Sequence, residues 1–342
     1  MEKQKLLLIG YRAYGDWIYT CPVLPTLFEN FDVYAEMNFK GEELFGDDPR
    51  FKEKNYFYFE TFPREKFPEM AAEREKALIE RIKPDHVINL NGSLEMACIA
   101  RREQPEFFKP VGDRRVIFGS NGFYDAVFRR CGVDVPNPLD LKGLWFDPEH
   151  IKWGEEWSRK NADKFVIMLA VHGSSIHKQF RNWETVVHSI LDKYPDALVY
   201  LVGDNGHAMG EFKHERVRPA FFPTLNFKQV TLMARYVDLV IGPETGLMVA
   251  AGMWGTPKIM ACSASSVWQT TQYMRNDFSF QLPPACSPCH LSVFGIEDCE
   301  NPTEEAGEKF PLCVKQLPQD LIMERTNYVY QHLRRKVPSE IS

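Results

Sequence analysis

The run IGPETGLMVAAGMWGTP at residues 241–257 sets Glu244-Thr245-Gly246 between an apolar stretch of strand length and a helix of small apolar residues. Where a strand ends and a helix begins, unpaired N–H groups and the helix dipole favour an anion, a phosphate above all. Glu244 is placed to accept from sugar or ribose hydroxyls there, or else serves as a first-turn acid complementing the dipole. A second run, VHGSSIHKQFRNW, carries Gly173, Ser174 and Ser175, then Lys178 and Arg181. A guanidinium grips phosphate through a fork and an ammonium acts as a point charge; the plain alternative is a solvated basic loop. Gly203 and Asp204 end another apolar stretch and suit the lining of a base pocket, although Gly-Asp is also a common turn. Near the amino terminus Gly15 and Asp16 follow the first apolar run. On the residues alone, Asp16 reads as a helix N-cap. Asn91 and Gly92 close HVINLNG in the same way and are acceptor-side candidates.

A different chemistry is suggested by Cys286, Cys289, Cys299 and Cys313, a C-x₂-C pair followed by two cysteines after nine and thirteen intervening residues. Four thiolates can hold a structural zinc ion tetrahedrally, and such pairs in a reducing compartment favour metal over disulfide. The spacing is not that of a standard finger, and reduced, partly buried thiols are the alternative. A redox role is not expected, because no thioredoxin-like strand and helix N-terminus frame the pair.

The elements that must position these residues alternate. KLLLI reads as a buried first strand, followed by a helix from about residue 17 to 30 and a second strand, DVYAEM. Residues 51–70 mix aromatics with charges and show no period. A charged helix over about 71–83 turns Leu78, Ile79 and Ile82 to one face before the strand of HVINLNG. The polar, Trp-rich residues 143–163 suit a connection between domains. Strand and helix then alternate again through KFVIMLA, NWETVVHSILDKYP, ALVYLVG, NFKQVTLMARY and the opening run, and a last helix spans about 318–336. This alternation predicts α/β architecture with parallel sheets, two Rossmann-like doubly wound domains facing a cleft. The expected division is residues 1–150, 151–318, and a helix and tail at 319–342.

With 342 residues, two cores are comfortable. The net charge of −6 lacks the footprint of a general nucleic-acid binder. LLLI is too short for a signal-peptide core and no segment reaches a membrane span, so a cytoplasmic protein is expected.

Four runs in order, LLIGYRAYGDWIYTCPVLPTL, PDHVINLNGS, VHGSSIHKQFRNW and IGPETGLMVAAGMWGTP, resemble the family-9 glycosyltransferases, the group that includes the bacterial ADP-heptose–lipopolysaccharide heptosyltransferases. The resemblance implies a GT-B fold and an inverting, metal-independent transfer from a nucleotide-sugar donor to an acceptor hydroxyl on a glycan or another molecule. It implies that Asp16 is the general base, with Gly15 and Arg12 beside it on the acceptor side. Arg181 or Lys178 would then neutralise the leaving diphosphate, and Thr245 and Gly246 would bind diphosphate or ribose. The chain departs from the family at Glu244, where Asp is usual, at Val249, where heptosyltransferases carry His, at Gly10 for a common Arg, and at Arg181 for Lys. Donor identity stays open. Competing readings are a sugar-nucleotide epimerase, a non-catalytic sugar-nucleotide sensor, and a nucleic-acid-binding or -modifying protein using the aromatic segment 51–70 with the pairs Arg101-Arg102, Arg114-Arg115 and Arg129-Arg130.

Overall fold

The computed structural model describes residues 2–58, 66–91, 95–136, 139–203, 212–220, 225–315 and 317–335. They form two compact units, one of residues 1–94, 124–136 and 141–146, the other of 95–123, 137–140 and 147–342. The chain therefore does not divide at a single point near residue 150. Residues 95–123 pack with the second unit.

In the first unit β1 (Gln4–Gly10), β2 (Phe31–Met37), β3 (Glu53–Tyr56) and β4 (His86–Asn89) form a parallel sheet in the order β3-β2-β1-β4. Leu6 to Ile9 are fully buried, which is why β1 reads as an unbroken apolar run rather than an alternating one. β3 had no apolar signature because it is an edge strand with every residue half-buried. The helix expected over 17–30 is instead two, Tyr14–Thr20 and Leu24–Asn30, with a 3-10 turn at Cys21–Val23 between them. Pro22 and Pro25 lack the N–H groups a continuous helix needs. The helix Phe67–Ile82 buries Leu78 and Ile82, four apart, but Ile79 is exposed, since one residue turns the helix by about 100°.

In the second unit β5 (Phe165–Ala170), β6 (Ala197–Val202), β7 (Val217–Pro219), β8 (Leu239–Pro243), β9 (Lys258–Cys262) and β10 (Phe280–Gln281) are parallel in the order β10-β9-β8-β5-β6-β7. One face packs on the helix Trp183–Lys193 and the final helix Gln319–His332 through Val186, Ile190, Ile322 and Val329. The other packs on Phe227–Met233 and Gly246–Trp254 through Val230, Met233, Leu247 and Ala251. A sheet covered on both faces is doubly wound, as the near-continuous apolar strands required. Residues 143–163 are not simply a connection: Asp147 caps a helix over Pro148–Lys160. β11 (Pro302–Glu305) and β12 (Glu308–Pro311) make a separate hairpin. Among the described residues no helix is long and apolar enough to cross a membrane.

Candidate functional site

Each sheet has one place where its strand order reverses. In the second unit β5 has β6 on one side and β8 on the other, so the segments leaving β5 and β8 at their carboxyl ends diverge and leave a crevice where ligands bind in open α/β sheets. Those segments are residues 171–178 and Glu244-Thr245-Gly246. Thr245 is the N-cap of the nine-residue helix Gly246–Trp254, yet its side chain caps nothing. Its Oγ1 is buried without a hydrogen-bond partner. A buried hydroxyl left unpaired costs about 1–3 kcal/mol, and this one stands beside the free N–H groups of a helix start.

Glu244 is committed elsewhere. Its Oε2 accepts from the N–H and hydroxyl of Ser263 (both 3.1 Å) and the N–H of Ala264 (3.3 Å), and its Oε1 from the N–H of Ser265 (3.2 Å). The carboxylate thus braces the turn after β8 against the loop after β9, a role that local sequence did not reveal.

In the loop after β5 the N–H of Gly173 donates to the carbonyl of Lys178 (3.1 Å) and that of Lys178 to the carbonyl of Ser175 (2.9 Å). Ser174 is exposed and Ser175 buried. Lys178 is half-buried and, among the described residues, forms no ion pair, whereas Arg181 donates to Glu308 (2.6 Å) and lies 4.4 Å from the ring centre of Phe310. The two cations proposed for one task are therefore in different situations. Gly203, at the end of β6, leaves no space for a side chain: a Cβ there would lie 2.8 Å from Val171. Asp204 and Gly92 lie outside the described residues.

In the first unit the reversal falls between β1 and β4, which places the segments carrying Arg12, Gly15, Asp16 and Asn91 side by side. The N–H of Tyr11 donates to Asn91 Oδ1 (2.6 Å), joining them directly. Asp16 is not the N-cap. Ala13 holds that position, and Asp16 lies within the first turn of Tyr14–Thr20, as does Gly15. Its Oδ2 is 4.0 Å from Nε of Arg12, whose buried guanidinium also donates to Thr20 Oγ1 (3.1 Å). Asp16 keeps partial exposure, at 17% of its side chain. A carboxylate that is oriented but still accessible can take a proton.

The four late cysteines line one cavity of about 30 Å³ together with His177, Ser263, Ser287 and Glu300, enough for about one water or ion. All are free thiols. Burial pushes Cys289 up to about 12 and raises Cys299 and Cys313. His177, missed by sequence reasoning although it sits between Ser175 and Lys178, is buried with its Nδ1 unpartnered. Burial, then the nearby Lys178, lowers it to about 3, so the imidazole is neutral. A histidine in a loop of a chain with clustered cysteines was the available signal.

Several arginines of the basic pairs are engaged internally. Arg114, fully buried, donates to both oxygens of Glu300 (2.7 and 2.6 Å) and to the carbonyl of Cys289 (2.7 Å). Arg115 donates to the carbonyls of Ala285 (2.6 Å), Ser287 (3.1 Å) and Pro288 (3.0 Å). Arg102 pairs with Asp298 and Arg130 donates to the carbonyl of Asn89.

No protein-family model and no curated protein matches the sequence. Solved structures do match the fold. A family-9 glycosyltransferase of Veillonella parvula DSM 2008 superposes with a TM-score of 0.63 over 96% of this chain and 98% of its own, at 12% identity. The ADP-heptose lipopolysaccharide heptosyltransferase II of E. coli gives 0.61 over 96% and 98%, at 13% identity. TibC of enterotoxigenic E. coli H10407, an iron-containing dodecameric glycosyltransferase, gives 0.56 over 97% and 77%, at 14% identity. The chain has the fold of these proteins, two Rossmann-like units of the GT-B type, as its sequence led one to expect.

Proposed function

We propose that this protein is a glycosyltransferase that moves a sugar from a nucleotide-sugar donor, bound by the second unit, to an acceptor hydroxyl presented by the first. The observation that carries this reading is the buried, unpartnered Thr245 hydroxyl at a helix start beside the reversal point of the second sheet. A diphosphate oxygen would satisfy the hydroxyl and the adjacent N–H groups together. The fold shared with family-9 enzymes supports it. Among the engaged arginines, Arg114 and Arg115 are spent on carbonyls and a carboxylate, which takes support from the nucleic-acid reading.

In this reading the acceptor O–H passes its proton to Asp16 while its oxygen bonds to the anomeric carbon. The bond from that carbon to the diphosphate breaks, and the nucleoside diphosphate leaves with the electron pair. A single displacement inverts the anomeric centre. Arg12 holds the Asp16 carboxylate in place. Lys178 and the helix N–H groups stabilise the charge on the leaving group, so that no catalytic metal is needed. The four late cysteines line one small cavity, but among the described residues no three of their sulfur atoms come within 4.8 Å of one another. The arrangement does not fit a tetrahedral zinc or iron ion as it stands, and metal analysis of the purified protein tests whether any is held.

A thermal-shift screen against ADP-, GDP-, UDP-, CMP- and dTDP-linked sugars tests the reading. One nucleotide class is expected to raise the melting temperature by mass action. Thr245→Ala should lose most of that shift, while Asp16→Asn should keep it and lower kcat about 10²–10⁴-fold. Absence of any nucleotide-dependent shift at millimolar ligand would remove the proposal.

A further inference from the structure

We infer that Asn38 and Trp17 form a clamp that positions Asp16, which makes Asn38 a positioning residue for the transfer; this rests on the reading of Asp16 as the base. At 4.0 Å the Arg12–Asp16 pair lacks a directional hydrogen bond, so the place of the carboxylate depends on where the backbone sets the two residues. Asn38, which follows β2 and is only 1% exposed, reaches the chain on both sides of Asp16. Its Nδ2 donates to the carbonyl of Arg12 (2.9 Å), and its Oδ1 accepts from the indole N–H of Trp17 (3.2 Å). The same Oδ1 accepts from the N–H of Gly41 (3.3 Å) and so caps the helix Phe39–Phe45. An indole or backbone N–H can only donate and a carbonyl can only accept, which leaves the amide one orientation.

The indole is held as closely as the amide. Trp17 is 1% exposed and meets Phe45 edge to face, with ring centres 5.5 Å apart. A Cβ on Gly10, at the end of β1, would lie 2.7 Å from its ring, and one on Gly41 would lie 3.0 Å from its Nε1. Two glycines from different elements thus shape the slot that the ring fills. The hydroxyl of Thr20, which accepts from Arg12, donates to the carbonyl of Asp16 (2.9 Å) and closes the turn. Asp16 therefore stands between two residues tied to one buried amide, while its own carboxylate keeps an exposed edge. Asn38 is too deeply buried to touch a substrate and acts through Asp16.

A double-mutant cycle on the full-length protein tests this, with water as acceptor and release of nucleoside diphosphate from ADP-, GDP- and UDP-linked glucose as the readout. Asn38→Ser keeps a cap for the helix Phe39–Phe45 but is too short to reach Arg12 and Trp17 together. Its kcat should fall roughly tenfold to a hundredfold, as displacing a reacting group by about 1 Å does. The KM for the donor, bound by the other unit, should stay within about threefold of wild type. In the Asp16→Asn background the same substitution should cost nothing further, because its effect passes through the carboxylate. A loss that adds to that of Asp16→Asn, or a wild-type kcat in Asn38→Ser, would overturn the clamp and leave Asp16 as the base. Full activity of Asp16→Asn would overturn the base and the clamp together. If the wild type releases no nucleotide, or Asn38→Ser does not fold, hydrogen exchange in Trp17→Phe decides. Amides of residues 11–21 should then exchange faster than in wild type, and unchanged exchange there would overturn the clamp.

Discussion

At the scale of single residues, candidates of the same type are separated by their partners. Lys178 and Arg181 were equivalent as phosphate-binding cations until Arg181 proved to be paired with Glu308 and stacked on Phe310. Among the described residues Lys178 has no such engagement. A hydrogen bond to a charged group contributes about 1.5–3 kcal/mol, so Lys178→Ala should lower kcat/KM roughly tenfold to a hundredfold. Arg181→Ala should leave turnover near wild type and cost only about 1 kcal/mol in a denaturant melt, because both partners are substantially exposed. Equal losses of activity in steady-state assays of the two variants would show that this division is wrong. Glu244 makes a related point: four hydrogen bonds to the loop after β9 mark it as a brace, so its contribution to binding is positional.

At the scale of elements, close approach and buried pairing decide where changes are tolerated. Gly143 crosses the 3-10 turn so closely that a Cβ would sit 1.6 Å from the carbonyl oxygen of Cys21. Backbone cannot yield as a side chain can, and Gly143→Ala should destabilise the first unit by at least about 3 kcal/mol, read as a lower denaturation midpoint with an unchanged slope. In the second unit fully buried Lys258 pairs with Asp277 (2.5 Å) at the start of β9. Burial alone would raise Asp277, but the charge of Lys258 and hydrogen bonds from Lys258, Ser279 and Thr271 outweigh it, and the net shift is downward from 3.8. A carboxylate held below its unfolded value contributes stability above about pH 4, which is lost as the pH falls through the folded value. Urea melts from pH 6 to 2.5 should show that loss in wild type. Asp277→Asn should be less stable at pH 6 and should flatten the acid limb. A limb of unchanged steepness would assign the acid sensitivity to other groups.

At the scale of the molecule, two units with separate cores make a single melting transition a poor description. Nucleotide binding as proposed should slow amide exchange in the loops after β5, β8 and β9 and leave the sheet of the first unit unaffected. Hydrogen-exchange mass spectrometry with and without the stabilising nucleotide reads this directly. Protection confined to the first unit would reverse the assignment of donor and acceptor sides.

Much of this architecture could be read from the chain alone. Strands buried on both faces are continuous apolar runs, as in residues 6–9 and 165–170. Prolines and small residues mark where helices begin and how closely they pack. Those are local signals, and they sufficed for two alternating α/β halves and for the turns that carry Asp16, Lys178 and Thr245. Local signals failed at β3, an edge strand with no fully buried face to impose a pattern, and at residues 95–123, whose attachment depends on partners such as Glu300, 186 positions from Arg114. Strand order brought the loops after β5 and β8 together, and long-range packing put His177 on the same cavity as the four cysteines. Order within a parallel sheet is set by which helices cross which face over a hundred residues or more, and periodicity within a single segment does not record it.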